Sequence, residues 1–252
     1  MTTTFRQSLA AATQMPASLR LPLCHVADFG TILSFIEAGQ ITTHEVCDVF
    51  KMKLNYFFYG RAAYRPKDGS KSHVAVANPA ALILAPHAVP DPHTVYPFDT
   101  GGYPRYATST AGHALRDFAL DLEVAECERV IERHWNTHED YIRADLSGFR
   151  EQFDPDCPAV ECYSAIVRDT DPDLADDRRS SLEVTSLIDV PIDASNIIGV
   201  VLPRKYAANS SIQALKAAGT VVTPYLYSQQ QRTALMSVTI EHACTIVGEY
   251  LA

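Results

Sequence analysis

The chain has 252 residues, 47% of them apolar, and a formal net charge of −9. This length allows a sizeable core and favours one large domain, and the negative charge excludes a global basic field that would attract nucleic acid. No stretch approaches the roughly 18 apolar residues that span a bilayer, and the six cysteines lack a framework spacing, so we expect a cytoplasmic protein with reduced thiols.

The first part of the chain predicts an arm, a strand and helical segments. Residues 1–19 are rich in Thr, Ala and Ser and are expected to form a flexible arm. The apolar run 19–26 is typical of a strand. Asp28 is placed to cap a helix over 29–39 that Gly39 ends, and residues 43–54 predict one or two further helical turns.

The remainder predicts more strands than helices. Residues 72–86 indicate a strand broken at Pro79, residues 87–106 form a Pro/Gly-rich loop or lid, and residues 111–145 have helical periodicity. The remaining predicted elements are strands over 159–169, 181–192, 197–203 and 219–227 and a closing helix over 229–251. Because strands and helices do not alternate regularly, the class is expected to be α+β.

The stretch Asn55–Arg65, with the sequence NYFFYGRAAYR, combines tyrosines, phenylalanines and arginines around Gly60. Tyrosines can sandwich a flat ring while keeping a hydroxyl for a partner, and the guanidinium forks of Arg61 and Arg65 suit a pyrophosphate. The stretch therefore predicts one wall of a ligand cleft. The alternative is an aromatic edge strand packed on the core, with its arginines on the surface.

Three further polar residues are candidates for a site. Strand alternation separates Glu183 from its apolar neighbours, so its carboxylate either faces water or lines a cleft and stabilises positive charge. His25, at the end of the first strand, is either a hydrogen-bonded structural residue or a contact for a ribose hydroxyl. Asp99 lies in the loop 96–103, where it can bind polar substrate groups. The alternative is an ordinary turn, because turns contain the same residue types.

Familiar alternatives are absent from the sequence. Neither of the common Gly-rich phosphate loops occurs, no G-x-S-x-G marks a serine hydrolase, and no cysteine lies in a recognisable nucleophile context. His44 with Cys47, and Cys157 with Cys162, do not complete a four-ligand set. The sequence therefore predicts a site without a metal.

In the order of His25, the tyrosine-rich strand and Glu183, the chain resembles the ADP-ribosyltransferase fold, in the His–Tyr–Glu branch that includes DarT-type bacterial toxins. The segments that carry the resemblance are LCHVADFGTILSFIEAGQI and SLEVTSLIDVPIDASNIIGVVLP. It implies split antiparallel or mixed sheets with flanking helices, here in a single catalytic domain over 20–252 with a helical insertion at about 111–145.

The resemblance also implies roles. NAD would be the substrate, His25 would bind the ribose on the adenine side, Tyr56 or Tyr64 would stack on nicotinamide, and Glu183 would be catalytic. The cofactor-binding candidates together are His25, Tyr56, Tyr59, Arg61, Tyr64, Arg65 and Asp99.

The expected partner is a macromolecular acceptor, protein or nucleic acid, of a toxin or anti-phage effector that an antitoxin or another regulator controls. The rival hypotheses are an NAD or nucleotide glycohydrolase and a non-catalytic sensor that uses its Tyr/Arg strand as an interface.

Overall fold

The computed structural model describes residues 3–13, 19–43, 46–63, 74–106, 109–169, 177–226 and 232–252. The helices are α1 (Phe5–Ala12), α2 (Phe29–Ala38), α3 (Glu126–His134), α4 (His138–Arg143), α5 (Pro158–Arg168), α6 (Ser210–Ala217) and α7 (Arg232–Leu251). The strands are β1 (Leu23–Asp28), β2 (Gln40–Ile41), β3 (Asn55–Tyr59), β4 (Pro79–Leu84), β5 (Thr94–Tyr96), β6 (Glu183–Ser186), β7 (Val190–Pro191), β8 (Ile197–Pro203) and β9 (Val221–Tyr225). The predicted α+β class is confirmed.

The strands form one large mixed sheet and one small sheet. The large sheet has seven strands in the order β5-β6-β3-β1-β4-β8-β9, and β2 pairs with β7 in the second sheet. Among the strand pairs that the described residues form in the large sheet, β8 and β9 are parallel, because α6 returns the chain between them. The outcome is that β1, β3 and β6 are neighbours although their residues lie far apart in the sequence.

The ladder between β1 and β3 is short. It consists of the pairs Leu23↔Tyr59 and Cys24↔Phe58, whereas β1 pairs with β4 along its whole length from Leu23 to Asp28. Since the β1–β3 ladder ends after Cys24, the side chain of the next residue, His25, lies where the two strands stop pairing.

Helices cover both faces of the large sheet. On one face α2 buries Phe29, Ile32 and Phe35, and Phe35 contacts the ring of His25. On the other face α7 approaches β8 so closely that a side chain at Gly199 would meet Ile246 at 2.9 Å. Glycine at this position thus permits the close contact between helix and sheet.

The helical region between β5 and β6 is larger than the insertion predicted at 111–145. It contains α3, α4 and α5, and residues 159–169, predicted as a strand, belong to α5. Pro158 occupies the first turn of this helix, where its missing N–H is not needed. The helical periodicity predicted over 111–145 also fails at Leu122, which lies outside the helices and is 60% exposed.

Two predictions in the N-terminal part are wrong. The arm expected over residues 1–19 contains α1, whose Phe5 and Leu9 are fully buried. Residues 46–53 of the predicted helical segment 43–54 instead form a tight turn, in which Val46 and Lys53 make an isolated bridge. In the described part of the chain, no helix is long and apolar enough to cross a membrane.

Helix α1 is expected to contribute to stability through Phe5, whose ring contacts Phe118 and Tyr163. Phe5→Ala should lower the free energy of unfolding by about 3–5 kcal/mol, because a large buried side chain is lost. Denaturant unfolding measures the change. The matched control is Phe153→Ala, whose ring is 71% exposed and which should change stability by less than about 0.5 kcal/mol. Equal effects of the two substitutions would show that α1 does not dock.

Candidate active site

Glu183 is the centre of the candidate site. It begins β6 and pairs with Phe58 on β3 and Tyr96 on β5. Since Cys24 on β1 pairs with Phe58, these four side chains form one row across four strands and point to the same face. Glu183 has no exposed surface, so the alternative that its carboxylate lies on a solvated strand face is wrong.

Thr100 holds the carboxylate of Glu183 with two hydrogen bonds. Its backbone N–H donates to Oε2 at 3.1 Å and its hydroxyl donates to Oε1 at 2.7 Å. Thr100 is itself fully buried and begins a 3-10 turn, Thr100–Arg105, that Asp99 caps by accepting from the Gly101 N–H at 2.7 Å. The loop predicted to clasp a substrate therefore contacts the predicted catalytic carboxylate directly.

Asp99 anchors this loop to the segment that precedes β6. Its Oδ2 lies 3.3 Å from Arg178 Nη1, and its backbone N–H donates to the Arg178 carbonyl oxygen at 3.0 Å. Asp99 is 8% exposed. The two contacts bring Asp99 and Glu183 into the same buried cluster.

Burial raises the pKa of Glu183 well above its usual range, and the charge of Asp99 raises it further. The two hydrogen bonds from Thr100 oppose this rise because they stabilise the ionised form. The site thus contains two interacting carboxyl groups whose protonation states depend on one another.

Aromatic rings line the cluster. Tyr56 pairs with Thr185, which places it on the same face as Glu183, two positions along the strand. Burial raises the pKa of both Tyr56 and Tyr96, and the charge of Glu183 adds to each rise. Tyr56 is partly exposed, whereas Phe58 and Tyr96 are buried. Tyr56, one of the two tyrosines considered for stacking, therefore lies beside the carboxylate.

Cys47 is a neighbour of the same wall. A hydrogen bond with Cys47 contributes to the raised pKa of the Tyr56 hydroxyl, and the Cys47 sulfur accepts from the backbone N–H of Val49 at 3.2 Å. The turn that carries Cys47 also places Phe50 with its ring centroid 6.0 Å from that of Tyr96. Residues 46–53 therefore border the cluster.

His25 lies beside the cluster but on the opposite face. Its Nδ1 is 2.8 Å from the Tyr56 carbonyl oxygen, and its ring packs on Phe35 and Phe57. A carbonyl only accepts, so Nδ1 carries the proton and Nε2 is the acceptor. Burial lowers the pKa of His25 to about 4, which keeps the ring neutral at pH 7. His25 thus has the hydrogen-bonded structural placement that the sequence left open, and it holds the backbone of Tyr56.

Tyr59 is not brought to Glu183. It pairs with Leu23 and therefore points to the other face of β3. Its hydroxyl donates to Glu128 and accepts from the backbone N–H groups of Arg20 and Leu21, each at 3.0 Å. These bonds fill the capacity of the hydroxyl group, so the prediction that Tyr59 contacts a cofactor is corrected to a core role.

Arg61 is also in the core. It is 1% exposed, donates to the Ser180 hydroxyl at 2.7 Å and lies over the Tyr141 ring, 5.7 Å from its centroid. Gly60 turns the chain inward with a φ of +69°, a value that favours glycine. The predicted surface or pyrophosphate-facing position of Arg61 is therefore wrong.

The remaining predicted residues, Tyr64 and Arg65, lie outside the described part of the chain. Arg178 was missed because it follows an acidic stretch, residues 169–177, whose composition is typical of a solvated turn. Tyr96 was missed because its strand β5 is only three residues long. Among the described residues, no group of three or more His, Cys, Asp or Glu side chains is arranged to hold a metal.

Comparisons with known proteins give one structural likeness. No protein-family model and no curated protein matches the sequence. Among solved structures, the chain is similar to the Thermus sp. 2.9 DarT in complex with ADP-ribosylated ssDNA, with a TM-score of 0.42 and 9% sequence identity. The alignment covers 84% of this chain and 98% of that one.

The raised pKa of Glu183 predicts a dependence of stability on pH. The folded protein retains the proton above 4.5, the ordinary pKa of the group, so the contribution of Glu183 to stability falls as the pH rises through this window. Glu183→Gln removes that loss and should stabilise the protein more at about pH 8 than at about pH 5.

Thermal unfolding at both pH values measures this effect. The control is Glu241→Gln, at an exposed position of α7, which should change the melting temperature little at either pH. If Glu183→Gln raised the melting temperature less at the higher pH than at the lower pH, the assigned direction of the pKa of Glu183 would be wrong.

Proposed function

We propose that the protein is an NAD-dependent ADP-ribosyltransferase that transfers ADP-ribose to a macromolecular acceptor, protein or nucleic acid. The observation that carries the proposal is the buried carboxylate of Glu183 in a row of aromatic side chains, with the partly exposed ring of Tyr56 beside it. When Glu183 is ionised, its carboxylate and the neighbouring π-systems both attract a flat cation, and a cation bound there in turn lowers the raised pKa of Glu183.

The nicotinamide end of NAD has this chemistry. Its ring is a cation that departs as a neutral molecule, so the bond to ribose is already activated. The protein then has to hold the dinucleotide, stabilise positive charge on the anomeric carbon and direct an acceptor to it. In the proposal Tyr56 stacks on the nicotinamide ring, and Glu183 binds the adjacent ribose and stabilises the developing charge.

Substrate binding requires a side chain over Glu183 to move, since Glu183 has no exposed surface. Tyr56 is the partly exposed member of the wall, and we assign the movement to it. His25 packs on Phe35 and Phe57 on the opposite face of the sheet, so the contact with the adenine-side ribose that the resemblance implies is left out of the proposal, and His25 supports Tyr56 by bonding to its backbone. Asp99 acts through the segment it anchors, while its oxygens accept from Gly101 and pair with Arg178.

The bonds balance without a further reactant. The electron pair of the bond between the anomeric carbon and the ring nitrogen leaves with nicotinamide, and the acceptor oxygen or nitrogen forms the new bond. The proton that the acceptor loses passes to solvent. If water is the acceptor, the same step is NAD hydrolysis, which is the alternative function of the same site.

Nicotinamide release from labelled NAD tests the proposal. Glu183→Gln should lower the rate by about 100-fold or more, because it removes an electrostatic contact to the transition state. Glu241→Gln is the matched control and should retain the rate of the unchanged protein. Equal release by Glu183→Gln and the unchanged protein would reject the role of Glu183. Candidate protein and single-stranded nucleic-acid acceptors, assayed for attached label, separate transfer from hydrolysis.

Substitution of Tyr56 tests the stacking. Tyr56→Ala should weaken NAD binding by about 1–3 kcal/mol, the range for loss of an aromatic stacking partner, while Tyr56→Phe should retain binding because the ring remains. Calorimetric titration with NAD measures both variants. If Tyr56→Phe lost as much affinity as Tyr56→Ala, the hydroxyl group and not the ring would be the contact.

Two results would favour the rival functions. Turnover of nucleotides without any dependence on NAD would indicate a nucleotide hydrolase. Failure to bind NAD together with tight binding of a macromolecule would indicate a non-catalytic module. The role as a toxin or anti-phage effector, and a controlling antitoxin, follow only from the resemblance and depend on the activity being found.

A further inference from the structure

Resting on the proposed function, we infer that Thr100 is a positioning residue that orients the Glu183 carboxylate for the reaction. The geometry carries the inference. One residue donates to both carboxylate oxygens, through its backbone N–H at 3.1 Å and its hydroxyl at 2.7 Å. Two donors from one rigid residue fix the plane of the carboxylate, which a single hydrogen bond would leave able to rotate.

Thr100 is itself held in place. Asp99 accepts from the Gly101 N–H at 2.7 Å and contacts Arg178 through both its side chain and its backbone. The ring of Phe98, the residue before Asp99, packs between Tyr96 and Phe118. Contacts within the protein therefore hold both donors in position, as electrostatic preorganisation requires.

The two hydrogen bonds leave capacity for a ligand. A carboxylate offers about four lone-pair directions, and Thr100 occupies one on each oxygen of Glu183. A ribose hydroxyl can take a remaining direction without displacing Thr100. The orientation that Thr100 gives the carboxylate is thus compatible with the ribose contact in the proposed reaction.

The charges around Glu183 make the donors necessary. The groups that face it are the carboxylate of Asp99, the thiol of Cys47 and the hydroxyls of Tyr56 and Tyr96, and burial removes water. Burial, Asp99 and Cys47 all favour the protonated form of Glu183, whereas both hydrogen bonds from Thr100 favour the ionised form. The cation of Arg178 faces Asp99 at 3.3 Å and reduces its repulsion of Glu183.

The test compares Thr100→Val with Thr100→Ser. Valine keeps the shape and the backbone donor but lacks the hydroxyl, whereas serine restores the hydroxyl. Thr100→Val should lower kcat for nicotinamide release by about 10-fold or more with little change in KM, and should move the rising limb of the pH profile upward by about one pH unit or more. Thr100→Ser should restore most of kcat and most of the original pH profile. A purely structural role would instead lower the fraction of active protein and leave the pH profile unchanged.

A second readout separates this inference from the proposed function. The titration of the Glu183 side chain, followed by carbon NMR of the labelled carboxyl group, needs no substrate. Thr100→Val should raise the titration midpoint of Glu183, and Thr100→Ser should return it. If the unchanged protein does not consume NAD but the midpoint shifts as stated, the proposed function fails while the link between Thr100 and Glu183 stands. An unchanged midpoint in Thr100→Val overturns the inference whatever the activity.

Discussion

The candidate site depends on the burial of one carboxylate and on the donors that make this burial possible. An ionised carboxylate away from water is costly unless hydrogen bonds replace its hydration. For Glu183, Thr100 supplies two such hydrogen bonds, which oppose the rise in its pKa without cancelling it. Asp99 and Arg178 hold the loop that carries Thr100. The loop after β5 and the segment before β6 thus act together to hold the side chain of Glu183.

Strand β3 serves two purposes through its alternation. Tyr56 and Phe58 face the carboxylate cluster, whereas Tyr59 faces the other way and bonds to Glu128, which also contacts His138 at 2.7 Å. Tyr141 adds a hydrogen bond to the Tyr59 carbonyl oxygen at 2.5 Å. Helices α3 and α4 therefore contact the strand that carries Tyr56. A loss of packing between these helices would change the position of Tyr56.

The sequence predicted correctly those elements whose local residue pattern matches their final burial, such as the helix ended by Gly39 and the buried strand β8. It failed where tertiary contacts decide. Residues 159–169 are rich in apolar residues that suit either a strand or a buried helix, and alternation alone does not separate the two. Arg61 was placed outside because an arginine is seldom buried, and its contacts with Ser180 and Tyr141 come from distant segments. Thr100 lies in the loop 96–103 that the sequence indicated, but its hydrogen bond to Glu183 spans 83 positions and has no local signal.

The electrostatics of the cluster determine what it can bind. Asp99 and Glu183 lie in one buried site, so a phosphate group placed beside them would be repelled, and the pyrophosphate of a dinucleotide has to lie away from Glu183. A cationic ring gains from the same field, and the gain ends once the ring becomes neutral. The same charges therefore favour binding of the charged ring and do not hold the neutral nicotinamide that leaves. A site of this kind discriminates by the charge of the ring more than by its shape, because the aromatic wall accepts many flat groups.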